Sequence, residues 1–207
     1  MRDYTQALIW YRKAAEQGNA RAEYNIGLAY QDGESVHRDA PQAMAWYRKA
    51  ADQGDAIAQL NLAVMYDRGA DIPQDYSQAA DWYRKAAEQG LAEAQYGLGF
   101  LYLNGNGVAK DDTQAATWML KAAEQGEPKA QFNLGASYIN GVGVNRDLNE
   151  GYFWIFLANT RTTDSGLKGH AEASLEALTK AMKKNDIKSA QKRAQAWLNG
   201  HPLKAEQ

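Results

Sequence analysis

The side chains that could do chemistry in this sequence are either scattered or repeated too often to form one centre. His37, His170 and His201 lie far apart, with no H-x-x-x-H or HExxH spacing and no acid at ligand spacing. They read as surface histidines rather than metal ligands. The chain has no cysteine, which excludes a disulfide framework, cysteine-ligated metal and a cysteine nucleophile, and fits either redox compartment. No G-x-S-x-G marks a serine nucleophile. Aspartates are plentiful enough for acid–base work, but Asp3, Asp39, Asp75, Asp111 and Asp147 fall 36 residues apart. One active site needs one copy. Gly105-Asn-Gly-Val108 and Gly141-Val-Gly-Val144 resemble phosphate loops in composition, yet no strand precedes them and no GK[ST] follows. They read as repeated turns. The expectation is a protein without catalysis, cofactor or metal.

What must be positioned is therefore a surface. The phrase WYRKAAEQG occupies 10–18 and 82–90, with WYRKAADQG at 46–54 and WMLKAAEQG at 118–126. Trp10, Trp46, Trp82, Trp118 and Trp154 share the 36-residue spacing, as do Tyr30, Tyr66, Tyr102 and Tyr138. A fixed period of this length signals a stacked repeat. Thirty-six residues hold two helices of about a dozen residues and two turns.

The second helix of each unit is the better marked. Asp39/Gln42 has the form of a capping box, repeated at Asp3/Gln6, Asp75/Gln78, Asp111/Gln114 and Asp147/Glu150. Ala43, Trp46, Tyr47, Ala50 and Ala51 fall on one face. Arg48 and Lys49 sit where the helix dipole favours cations, and Gly54 supplies a left-handed stop. The first helix spans roughly 20–31, burying Ala22, Ile26 and Tyr30. Gly27, Gly99 and Gly135 inside this helix cost about 1 kcal/mol each against alanine. Close approach of the neighbouring helix, under the Trp ring, is the expected compensation.

The pattern A-x-x-x-L-G-x-x-Y-x-x-G-x-G-V-x-x-D resembles the Sel1-like repeat, a relative of the tetratricopeptide repeat. It is carried at 127–160 by Ala130, Leu134, Gly135, Tyr138, Gly141, Gly143, Val144, Asp147 and Trp154. The resemblance implies an all-α, right-handed solenoid: a half-repeat at 1–18, then repeats at 19–54, 55–90, 91–126 and 127–160. Residues 161–207 then form a degenerate helical cap, with a loop over 160–166 and a last helix opened by Asn185 or Asp186. Its Lys180, Lys183, Lys184, Lys188, Lys192 and Arg193 read as a solvated face, the alternative being a dock for an acidic partner.

By the same resemblance, first helices line a concave groove. Opposite the buried edge lie Arg21, Asn25 and Leu28; Ile57, Asn61, Val64 and Arg68; Phe100 and Asn104; and Lys129, Asn133 and Asn140. Recurring Asn beside apolar residues suits an extended peptide, whose backbone the amides would bond. Asn25, Asn61 and Asn133 could equally bond a neighbouring turn. The resemblance implies an adaptor for a protein or peptide. Two alternatives stand beside it: an immunity protein occluding a bacterial toxin, and a β-lactam- or cell-wall-processing protein like the cysteine-rich relatives. The missing cysteines argue against the latter.

Composition agrees with a protein partner. The net charge of −2 leaves no nucleic-acid footprint, and no apolar run reaches a membrane span. Residues 167–207 carry eight Lys/Arg against four Asp/Glu. The first residues show no signal-peptide pattern, so a native start at Met1 predicts a cytoplasmic protein, and a trimmed one an exported, periplasmic protein. Finally, the stripe of Ala7, Trp10, Tyr11, Ala14 and Ala15 is expected to be left partly uncovered and to support self-association.

Overall fold

Each 36-residue period folds into a helix pair, because every element carries its own start and stop. The computed structural model describes residues 4–202. Its helices are α1 (Tyr4–Ala15), α2 (Ala20–Asp32), α3 (Ala40–Asp52), α4 (Ala56–Arg68), α5 (Tyr76–Glu88), α6 (Ala92–Asn104), α7 (Asp112–Glu124), α8 (Pro128–Asn140), α9 (Leu148–Arg161), α10 (Ser165–Ala181) and α11 (Lys184–Gly200). No strand occurs among the described residues. The fold is an all-α solenoid. The chain divides into two compact units, Met1–Ala94 with Asn106–Val108, and Gln95–Gly105 with Ala109–Gln207.

The capping aspartates do more than the box motif requires. Asp39 Oδ1 accepts the Gln42 N–H at 2.9 Å, and Asp75, Asp111 and Asp147 repeat the arrangement. Asp3 lies outside the described residues. The second arm of the box differs from expectation. The backbone N–H of each aspartate donates to the carbonyl of the tyrosine nine residues earlier: Asp39 to Tyr30 at 2.9 Å, Asp75 to Tyr66 and Asp111 to Tyr102 at 3.0 Å, Asp147 to Tyr138 at 2.9 Å. One residue thus satisfies orphan groups at the end of one helix and the start of the next. First helices carry caps that the sequence reading passed over, at Asn19, Asp55 and Glu127.

The glutamine of the repeated phrase also has a partner. Gln53 donates to Glu23 at 2.6 Å and Gln89 to Gln59 at 2.8 Å, and in the second unit Gln125 donates to Gln95 at 2.8 Å. The acceptors are buried, and Gln59 and Gln131 return a bond to the carbonyls of Ala51 and Ala123 at 3.0 Å. These paired amides fix register along the stack, since a slipped repeat would leave them unsatisfied. The lysine three residues after each Trp lies over its ring: Lys49 at 3.9 Å from Trp46, Lys85 at 3.7 Å from Trp82, Lys121 at 3.9 Å from Trp118. These lysines therefore stack on an indole besides complementing the helix dipole.

The interior glycines face a different neighbour from the one expected. A Cβ at Gly27 would meet the Tyr47 ring, and one at Gly135 would meet Ile155 and the Gly151 carbonyl. The residue after the Trp, not the Trp itself, presses on the small position. The second turn glycine also makes a close approach. At Gly143, with φ at 71°, a Cβ would overlap the backbone of Asp112, and Gly107 approaches Tyr76 in the same way.

In the second unit, α10 and α11 pack on α9. Tyr152 and Ile155 join Ala171, Leu178, Ile187 and Ala190 in one cluster, while Trp154 and Leu157 join Ala194 in another. Helix α9 continues to Arg161, so the connection to α10 is only 162–164 rather than the longer loop expected. Helix α11 starts at Lys184 after Lys183, whose side chain makes no cap bond, rather than at Asn185 or Asp186.

Gly143→Ala combines backbone strain with overlap on the Asp112 backbone, and is expected to cost at least about 1–3 kcal/mol in denaturant unfolding. Gly169→Ala, in α10 with nothing within 4 Å of its would-be Cβ, is the control. It is expected to stabilise by about 0.5–1 kcal/mol. Equal effects would show that Gly143 is not a packing contact.

Candidate partner-binding surface

Once the inner faces are filled, each first helix keeps one outward register. In the first unit, Arg21 and Arg68 are exposed, Ile57 is 37% exposed, and Asn25, Leu28, Asn61 and Val64 are half-buried. In the second, Phe100 is 41% exposed, Asn104, Lys129 and Asn140 are exposed, and Asn133 is half-buried. Apolar side chains exposed singly are common on protein surfaces, so what marks Ile57 and Phe100 is that both stand on the outward register.

The asparagines have partners of their own. The Asn61 amide lies against the Tyr24 and Tyr47 hydroxyls, opposing the upward shift that burial gives both phenols, and Asn133 Nδ2 donates to the Tyr96 hydroxyl at 3.4 Å. Neither bonds a neighbouring turn; the acceptor is a tyrosine of the preceding repeat. Asn104 and Asn140 donate to the Phe100 and Ala136 carbonyls of their own helices at 2.8 and 2.9 Å. Arg21 approaches Asp55 at 3.7 Å and lies 4.7 Å from the Tyr24 ring centroid.

Arg68, Asn61 and Val64 line a recess of about 290 Å³, together with Arg38, Asp71 and Ile72. Sequence reasoning missed Arg38 and Asp71. The available signal was positional, because Asp71 stands where later repeats carry Gly107 and Gly143. Those glycines lie against the backbone of a preceding second helix at a distance no Cβ tolerates. Asp71 lacks their positive φ and is exposed, its carboxylate paired with the Arg38 guanidinium. A second recess of about 540 Å³ shares Ile72 and is lined by Pro41, Met44, Tyr66 and Pro73.

Beneath the surface, Tyr83 donates to Asp67 at 3.2 Å. Its counterpart Tyr47 donates to the neutral Gln31 at 3.0 Å. Burial pushes the Asp67 carboxyl above the usual carboxylate range, against the opposing pull of the Tyr83 hydrogen bond and Arg68. Burial likewise pushes the Tyr47 and Tyr83 phenols up.

The histidines are exposed: His170 lies 6.5 Å from the Phe132 ring and His201 stacks on Trp197 at 4.1 Å. No group of three or more His, Cys, Asp or Glu could hold a metal ion among the described residues. On the cap, Lys183, Lys184, Lys188 and Lys192 are exposed. Lys180 pairs with Glu176, and Arg193 with Glu150, each at 2.6 Å. No helix of the described residues is long and apolar enough to cross a membrane.

These helix pairs define an α-solenoid repeat protein with an unfilled outward face. The Sel1 repeat model matches residues 1–19, 20–55, 56–91, 92–127 and 128–159. The chain belongs to the Sel1 repeat family. Among solved structures it is similar to a protective antigen of uropathogenic Escherichia coli with an SLR fold, at 37% identity and a TM-score of 0.83. The match covers 97% of this chain but only 44% of the antigen. A Sel1 repeat protein of Oxalobacter formigenes is 32% identical over 97% of this chain and 77% of that one, with a TM-score of 0.72. A putative sel1 repeat protein of Klebsiella pneumoniae is 28% identical over 94% of this chain and 91% of that one, with a TM-score of 0.54. No curated protein matches the sequence. The family is one of scaffolds for protein–protein interaction.

The Asp67 carboxyl provides a pH test. A carboxyl raised in the folded state keeps its proton longer than in the unfolded chain, so its contribution to stability is full below the ordinary value of 3.8 and is lost as pH rises from there through the raised folded value. Asp67→Asn, which restores the Gln31-type acceptor, is expected to match the parent's melting temperature near pH ~3 and exceed it by pH ~7. Parallel melting curves across that range would rule out the raised carboxyl.

Proposed function

We propose that the chain is a non-catalytic adaptor, each of whose two compact units presents the outward register of its own first helices to an extended segment of a protein partner. The observation that supports the reading is the placement of Ile57 and Phe100. They are two of the four large apolar side chains exposed among the described residues, and both stand on that register. In the first unit Ile57 has Asn61, Val64 and Arg68 on the same helix, which offers an apolar contact, an amide and a cation. A peptide strand presents complementary groups: side chains for the apolar positions and backbone carbonyls for the donors. The asparagine amides, held by tyrosine hydroxyls, contribute mainly to the scaffold in this reading. The apolar and cationic side chains carry the binding.

Affinity copurification from the native host, followed by mass spectrometry, identifies the partner. Ile57→Glu and Phe100→Glu should then each weaken binding by about tenfold or more while leaving the melting temperature unchanged. Full binding by both variants would refute the reading.

The other two exposed apolar side chains, Ile9 at 44% and Trp10 at 65%, lie on α1. Tyr11 beside them is half-buried. Self-association through this face accounts for an indole left open apart from Lys13, 4.7 Å from its ring. Light scattering across protein concentrations should show a mass that rises for the parent and stays monomeric for Trp10→Glu. A parent that remains monomeric throughout would end the idea.

A further inference from the structure

The recess beside α4 lies at the one of four equivalent turns, Ser35, Asp71, Gly107 and Gly143, whose residue lacks a positive φ, and its chemistry favours one kind of partner. At the equivalent turns, Gly107 and Gly143 lie flush against the backbone of a preceding second helix. Asp71 lacks the positive φ that Gly107, Gly143 and also Ser35 adopt at this position, and a cavity of about 290 Å³ lies beside it. Val64 and Ile72 supply apolar wall, and Asn61 an amide. Two guanidiniums line the cavity against a single carboxylate. Arg38 is paired with Asp71, whereas Arg68 is exposed and makes no hydrogen bond or ion pair among the described residues. The volume accommodates one side chain with its solvating water rather than a folded domain.

We propose that this recess receives an aspartate or glutamate side chain of an acidic peptide segment, with Arg68 as its principal partner. The proposal rests on the adaptor reading of the same surface and adds the chemical class of the bound segment. A carboxylate entering here meets a guanidinium that makes no ion pair among the described residues and has only the Tyr83-bonded Asp67 as an anionic neighbour, over walls that exclude part of the water. Charge-assisted bonds of that kind are stronger than neutral ones. Asp71 occupies Arg38 in the free protein, so it acts as an internal competitor for the incoming acid.

The test uses a random-sequence peptide library displayed on phage, selected on the full chain. Enriched sequences are resynthesised with each Asp or Glu and with the matching Asn or Gln, and all are titrated by fluorescence anisotropy. The enriched peptides are expected to share an acidic residue whose amide analogue binds the parent about tenfold or more weakly. Arg68→Ala should bind acid and amide analogues equally. Asp71→Asn should bind the acid more tightly than the parent does. Melting temperatures of both variants should equal the parent's, since both side chains are exposed. Enrichment without an acid, or acid preference that survives Arg68→Ala, overturns the proposal while binding that remains sensitive to Ile57→Glu keeps the adaptor reading. A library that enriches nothing, or peptides indifferent to Ile57→Glu, overturns both.

Discussion

The hydrogen bond from each capping aspartate's backbone N–H to the tyrosine carbonyl nine residues before it sets the geometry of every helix pair. Its length stays between 2.9 and 3.0 Å at Asp39, Asp75, Asp111 and Asp147. A first helix ends with carbonyls that need donors, and a second begins with N–H groups that need acceptors. The aspartate supplies both, backbone to one and side chain to the other. The glycine that ends each first helix makes the reversal possible: Gly33, Gly69 and Gly141 all cap in the left-handed region. With entry and exit fixed in this way, the alanine faces can meet at full burial, as Ala43, Ala50 and Ala51 do.

That constraint leaves few positions free to differ. The inner face is spent on packing, and buried glutamines lock one repeat to the next. The outward register of the first helices is one place where the repeats differ, with Arg21, Ile57, Glu93 and Lys129 at one position and Leu28, Val64, Phe100 and Ala136 at another. The start of each second helix, at Ala40, Tyr76, Asp112 and Leu148, is another such place. The proposed adaptor role rests on the outward register. The recess at Asp71 also lies on the surface, beside a turn residue that lacks the positive φ of its counterparts Ser35, Gly107 and Gly143.

Much of this was legible in the residues. Helix pairs, aspartate caps and glycine stops recur at fixed spacing, and each has a local physical cause. Partner identities were not legible. Spacing places Gly27 and Gly135 on the inside but does not tell whether Trp46 or Tyr47 covers them, since adjacent helical residues differ by about 100° and the crossing angle decides. Register put Asn61 and Asn133 on the outward face, yet their amides reach tyrosine hydroxyls one repeat earlier, a contact set by stacking distance. Position alone makes Lys49 a dipole complement; its i,i+3 relation to Trp46, repeated by Lys85 and Trp82, places it over the indole as well. The Asp71 recess was only half visible, since Ser35 departs from Gly107 and Gly143 at the same position yet keeps their positive φ.

The account assigns recognition to first helices and support to second helices. Hydrogen–deuterium exchange of the full chain, with and without its copurified partner, tests this directly. Partner-induced protection is predicted in α2 and α4 of the first unit, with α3 and α5 unchanged because their amides are already bonded and packed. Protection confined to α3 and α5 would contradict it.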